Sequence, residues 1–350
     1  MLATWGCTTF PKPTIDLQFA GATSLDNRIT FTRATTATFF NSSGVLSTAA
    51  SGEARFDYNP TTLAAQGLLI EEQRTNSIRN NTGQGAVAGT PGTLPTNWAG
   101  AAATDLTREI VGTGTENGIT YIDLKYSGTV SASRTQFIFF EPSNGISASN
   151  GQSWAGSAWV KLVAGSLNNI TSVAFQIDTR DSSLVYVSTP FVAAFTPTST
   201  FTRYSGSGTA TGATIAWIQP FVRFITASSG AIDITLRIGL PQLELGAFAT
   251  SVIPTTTTAL TRNTDVAIMT GTNFSSWYNA SEGTLYADFV LRQTNAASAQ
   301  MLASINDNSP NNRFTLTVAA SSNLFLALRN TSGAGLLQTS TANAQVRLQD

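Results

Sequence analysis

The side chains able to do chemistry are sparse in this 350-residue chain. Glu71 and Glu72 stand side by side and are followed by Arg74. Paired carboxylates are the machinery of glycoside hydrolysis, but they must face each other across roughly 5–10 Å of cleft. Neighbours on a strand point to opposite faces, so Glu71 and Glu72 make a poor acid–base pair. The expectation for Glu71, Glu72 and Arg74 is structural: one carboxylate pairs with Arg74, Arg55 or Arg33 and pins this segment in place. Asp178, Arg180 and Asp181 fall in IDTRDSS, which reads as a solvated hairpin tip. Asn306, Asp307 and Asn308 in INDNSPNN form an oxygen-rich loop, a weak calcium candidate whose spacing falls short of a twelve-residue calcium loop. Aromatic rings are the better binding candidates, since each offers an apolar face for a sugar ring. Trp159 heads that group, with Trp277 and Tyr278.

Composition excludes much else. The chain has no histidine, which removes His-dependent triads and His-ligated zinc. Cys7 is the only cysteine, so no internal disulfide can form. A net charge of −1 supplies no basic field for nucleic acid. No stretch approaches the ~20 apolar residues of a membrane helix, and MLATWGCTTFPKP lacks a charged segment followed by an apolar run. No catalysis, cofactor, nucleic-acid partner or membrane insertion is expected.

The elements that must position these residues are strands. Period-two patterns recur in ITYIDLKYSG (119–128), RTQFIFF (134–140), SWAGSAWVKLV (153–163), TSVAFQIDT (171–179), IAWIQPFVRFIT (215–226) and AIDITLRIGL (231–240). Gly, Asn, Ser and Pro clusters separate them. In SAWVKL, Ala158, Val160 and Leu162 form one face and Ser157, Trp159 and Lys161 the other. Only 11% of residues are charged, well below the usual ~25%. The fold class expected is all-β, with tandem antiparallel sandwiches. Composition shifts suggest an N-terminal module (1–80) opened by the Thr-rich RITFTRATTATFF (28–40), a linker or long loop (81–97), a sandwich (98–250), a connection (251–264) and a last sandwich (265–350). VRLQD (346–350) reads as the middle of a strand.

Three stretches resemble a known family. LDNRITFTRATTATFFNSSGVLSTAASGEARFDYNP (25–60), with GLLIEEQRTNSI (67–78), resembles the N-terminal module of tailed-bacteriophage tail-fibre, tailspike and head-fibre-like proteins. LPQLELGAFATSVIPTTTTALTRNTDVA (240–267) resembles the end of a carbohydrate-binding-module-like sandwich and the joint after it. FSSWYNASEGTLYADFV (274–290) resembles the opening of a concanavalin A-like (laminin G-like) lectin domain, although the block is shorter than a complete one.

The resemblance implies a virion structural protein anchored by its N-terminal module among other virion proteins. It also implies a homo-oligomer, a trimer by family analogy, displaying glycan-binding-type domains to a host cell-surface glycan. Trp159, Trp277 and Tyr278 are then the glycan-binding candidates. The alternatives are a purely structural capsid or tail protein without a ligand, and a polysaccharide-degrading tailspike.

Overall fold

The structure is a computed structural model that describes residues 13–281, 285, 287–289, 300–309, 312–318, 324–329 and 335–341. Cys7 and VRLQD lie outside the described residues. The N-terminal strands are β1 (Thr30–Thr32), β2 (Ala37–Phe40), β3 (Leu46–Ala49), β4 (Arg55–Tyr58), β5 (Ala65–Leu69) and β6 (Arg74–Asn76). The sandwich strands are β7 (Leu106–Glu116), β8 (Ile119–Val130), β9 (Thr135–Phe139), β10 (Ser153–Gly165), β11 (Ile170–Arg180), β12 (Tyr186–Phe195), β13 (Thr202–Thr209), β14 (Trp217–Thr226) and β15 (Gly230–Leu245). Then come β16 (Leu260–Arg262), β17 (Val266–Ile268), the single-turn helix α1 (Thr272–Ser275), β18 (Gln300–Asn306), β19 (Arg313–Val318), β20 (Leu324–Arg329) and β21 (Gly335–Thr341). The protein is therefore all-β, as its period-two patterns require.

Two antiparallel sheets make the sandwich, one in the order β13-β10-β15-β8-β7 and the other β12-β11-β14-β9. Alternation decides which side chains meet between them. Ala158 and Val160 of β10, Val173, Phe175 and Ile177 of β11, and Ile218, Val222 and Phe224 of β14 all enter one buried cluster. Trp98 is buried at its rim, edge-on to Phe140 at 4.7 Å. The stretch expected as a linker or long loop (81–97) packs along the sandwich. Val87 bridges Thr93, Gly89 bridges Ile110, and Trp98 Nε1 donates to the Asn80 carbonyl at 2.7 Å.

Tyr126 sits in this core, 1% exposed and edge-on to Phe224 at 5.1 Å. Burial pushes its phenol from 10.0 up to about 12. The phenol thus holds its proton in the folded chain where the unfolded chain releases it. Its contribution to stability is complete below pH 10 and is lost as the pH climbs from 10 to about 12. That interval corresponds to about 3 kcal/mol. Denaturant titrations across the range should show the decline, and Tyr126→Phe should flatten it.

Residues 251–268, expected to be a connection and the start of the last domain, pair with the N-terminal module. β16 is antiparallel to β6, and β17 is antiparallel to β1. The Thr-rich opening stretch is likewise two strands and not one: β1 joins β17, whereas β2 forms a hairpin with β3. The hairpin turn is held by Asn41, whose Oδ1 accepts from the Ser43 and Val45 amides at 3.0 Å each. Gly44 completes it at φ 71°, where an added Cβ would meet the Pro60 carbonyl oxygen at 2.7 Å. The β7–β8 turn, Asn117-Gly118, has positive φ at both residues (50° and 78°), the geometry that favours this dipeptide in two-residue hairpins. Leu46 N donates to the Asn117 carbonyl at 2.9 Å, docking the module on that turn. In the last block, β18 to β21 form one four-stranded antiparallel meander.

Candidate functional site

The two outer faces of the sandwich have different fates. The N-terminal module covers part of the five-stranded one. There Ile119, Trp159, Leu240 and Val252 are buried together, with Phe40, Leu46 and Phe201 packed on them. Trp159 is 5% exposed, edge-on to Phe40 at 5.7 Å and to Phe201 at 5.9 Å. It does point away from the sandwich core, as its alternation predicts. The surface it faces is the chain's own N-terminal module, so no free ring face is left for a sugar, and Trp159 is corrected from binding residue to seam.

Behind this seam lies a buried charge network. Arg55, 0% exposed, donates through Nη1 to Glu71 Oε2 (2.8 Å), Ser251 Oγ (2.9 Å) and the Thr38 carbonyl (2.9 Å), and through Nη2 to Asp265. Arg33 pairs with Asp265 at 3.0 Å, and Arg262 lies 3.2 Å from Glu71. Glu71 also accepts from the Ser251 amide at 2.8 Å. Burial lowers the pKa of Arg262, while Glu71 pulls the other way. Glu72, one residue on, points outward and pairs with Arg74. The two carboxylates lie in the connection between β5 and β6, one turned inward and the other outward, and share no cleft.

The outer face of the four-stranded sheet carries a different set of side chains. Strand register arranges them in rows. Tyr186, Arg180 and Trp217 lie side by side across β12, β11 and β14. Asp178 lies beside Gln219 in the next row. Val192, Gln176, Phe221 and Phe139 cross all four strands, and so do Ala194, Ala174, Arg223 and Phe137. The three phenylalanines form one aromatic knot. Phe137 and Phe139 stack at 5.3 Å, and both meet Phe221 edge-on, at 5.4 and 5.1 Å. Phe221 is buried beneath them, while Phe137 and Phe139 stay half-exposed. Tyr186 is 55% exposed at the opposite corner.

Polar side chains on this face hold one another in fixed rotamers. Arg223 Nε donates to Gln176 Oε1 at 2.6 Å, and Gln176 Nε2 donates to Asp178 Oδ1 at 2.8 Å. Thr189 Oγ1 donates to the same Asp178 oxygen at 2.6 Å. Arg180 Nε donates to Gln219 Oε1 at 3.2 Å, and Gln219 Nε2 to the Glu141 carbonyl at 3.0 Å. The result is a rigid sheet surface with aromatic patches at two corners and a guanidinium–amide lattice between them. Such a surface suits a ligand with flat apolar ring faces and a polar rim.

Sequence reasoning overlooked most of this face. Asp178 and Arg180 were expected at a solvated tip, but β11 runs through Arg180 and the turn begins only at Asp181. Trp277 and Tyr278 lie elsewhere, just beyond α1. Phe274 meets Trp277 edge-on at 5.0 Å and stacks on Tyr278 at 4.7 Å, and Trp277 Nε1 donates to the Asn273 carbonyl at 3.0 Å. Tyr278 is 41% exposed. In the candidate calcium loop, the Asp307 carboxylate accepts from Ser309 N at 3.0 Å and Asn312 Nδ2 at 2.7 Å, bonds that hold its pKa down. Asn306 Oδ1 accepts from Asn308 N at 2.8 Å. These oxygens brace the loop itself. Among the described residues no cluster of three or more Asp, Glu, Cys or His gathers as for a metal.

No family model matches the chain, and no curated protein matches it. Among solved structures it is similar to the CBM22-1 xylan-binding domain of Xyn10C from Paenibacillus barcinonensis, at 15% identity over 50% of this chain and 94% of that one, with a TM-score of 0.29. It is also similar to one of the carbohydrate-binding modules from the beta-sandwich superfamily, at 12% identity over 57% and 77%, with a TM-score of 0.31. A third is the enzymatically active domain of tailspike protein 4 from bacteriophage CBA120. There the identity is 14%, the coverage 43% of this chain and 19% of that one, and the TM-score 0.25.

Proposed function

We propose that this chain is a structural and adhesive protein whose sandwich binds a glycan on the outer face of its four-stranded sheet. The observation that carries the reading is the division between the two outer faces. One is occupied by the chain's own N-terminal module, and the other presents Phe137, Phe139, Tyr186 and Trp217 around the Arg223–Gln176–Asp178 lattice. Within these rows Asp178 is the one carboxylate. Glycoside cleavage asks for two, so the face is read as holding a sugar and not cutting it.

The test is a glycan array with the full chain, followed by titration calorimetry on whatever binds. Phe137→Ala together with Phe139→Ala should weaken binding about thirtyfold, as expected from losing two ring contacts of about 1 kcal/mol each. Undiminished binding by a variant that stays folded would move the site off this face.

The resemblance of residues 25–60, 67–78, 240–267 and 274–290 supports a finer reading: a homo-oligomeric virion component of a tailed phage, assembled in the host cytoplasm and exposed on the particle for host attachment. Weak single contacts would then gain by copy number. A reconstruction of the intact particle tests this. The sandwiches projecting outward would sustain it, and the open face buried between subunits would leave a purely structural protein.

A further inference from the structure

Resting on the reading of this face as a glycan site, we infer that its ligand carries an anionic sugar, a carboxylate-bearing residue of the uronic acid type, seated over Arg223 and Arg180. The reason lies in which polar atoms the face leaves unused. Both side-chain amides are engaged at each end: Gln176 accepts from Arg223 and donates to Asp178, and Gln219 accepts from Arg180 and donates to the Glu141 carbonyl. Asp178 Oδ1 already takes two donors.

What remains free is mostly donors. Arg223 is anchored through Nε alone, and its Nη1 is buried without a partner. Arg180 uses Nε and Nη1, the latter on the Leu184 carbonyl at 3.0 Å. Trp217 Nε1, in the same row as Arg180, is also buried without an acceptor.

Neither arginine belongs to an ion pair among the described residues. Elsewhere on the sandwich Arg79 pairs with Glu141, Arg134 with Asp105, and Arg237 with both Asp123 and Glu116. Burial holds the Arg223 guanidinium below its ordinary pKa, with Asp178 opposing from a distance. A partly desolvated cation beside aromatic rings, with spare donors and no carboxylate of its own, is matched by a planar anion. Charge-assisted pairs of this kind are about twice as strong as neutral hydrogen bonds, and guanidinium geometry suits a carboxylate. The apolar faces of the sugar ring would lie toward Phe137, opposite Arg223 on β9, and Phe139, opposite Phe221 in the neighbouring row.

The experiment uses the full chain and a panel of acidic bacterial polysaccharides, each paired with its carboxyl-reduced derivative, at one ionic strength. The expected result is at least one acidic polymer bound about tenfold or more tightly than its reduced partner. Arg223→Gln should bring the ratio of the two affinities to about one, and Arg180→Gln should diminish it. Equal affinity for both members of every pair, with Arg223→Gln silent, would overturn the anionic assignment and leave the glycan site standing. So would an acidic preference that survives Arg223→Gln, because the charge would then be read elsewhere. Failure to bind any member of the panel, or binding indifferent to Phe137→Ala and Phe139→Ala, would instead remove the glycan reading itself.

Discussion

Replacing Arg55 by alanine is expected to destabilise the N-terminal module by about 3–5 kcal/mol. The side chain is fully buried and bonds Glu71, Asp265, Ser251 and the Thr38 carbonyl at once. Taking it away leaves two buried carboxylates with less positive charge around them. Arg33 still reaches Asp265, and Arg262 still reaches Glu71, so the loss stays within that range. Urea titration followed by proteolysis of residues 30–76 would read it. A change under about 1 kcal/mol would mean that water reaches the network and screens it. Replacing Arg55, Glu71 and Asp265 together by apolar residues of similar volume should not recover the loss, because Arg33 and Arg262 would stay buried without their carboxylate partners.

Trp159→Ala is expected to cost about 3–5 kcal/mol as well, by a different route: a large ring lost from a packed seam leaves a cavity. Phe40 and Phe201 both rest on it, so the N-terminal module should loosen from the five-stranded sheet. Affinity for a glycan should not change, since the open face lies on the other sheet. Reduced thermal stability with unaltered binding is thus the expected pair of results. Weakened binding in a folded Trp159→Ala protein would place the sugar on the covered face and contradict the division described above.

The alternation of the strands could be read from the sequence because it is local. Ala158 and Val160 against Ser157 and Trp159 is a period-two fact, and the sandwich honours it. What lies over the outer side is not local. Arg55 and Asp265 are 210 residues apart, and no pattern near either announces the other. RITFTRATTATFF breaks at Arg33 because that side chain turns inward, to Asp265 and to the Thr35 and Ala50 carbonyls. The open face was hidden for another reason. In RTQFIFF every residue from Phe137 to Phe140 is apolar, so alternation cannot say which phenylalanines face the core. Phe140 enters it, while Phe137 and Phe139 do not. The polar DTRD sequence looked like a turn, although a strand on a solvated sheet face carries the same residues.

The pairing of β16 and β17 with β6 and β1 makes the sandwich a cassette carried inside another unit. Its entry and exit are stitched together: Ser77 N donates to the Leu243 carbonyl at 2.8 Å, and Leu243 N donates to Asn76 Oδ1 at 3.2 Å. During synthesis Arg55 must therefore wait for Asp265. At roughly 5–20 residues per second that delay is on the order of 10–40 s, long enough for the sandwich to fold first and bring the two ends of the surrounding unit together. The same stitching defines an exchange rule. Any domain put in place of residues 79–241 must leave its termini side by side and rebuild the seam that Trp159 fills, with Gln242, Leu243 and Glu244 retained because they bond Ser251, Asn76 and Thr250 of the mount.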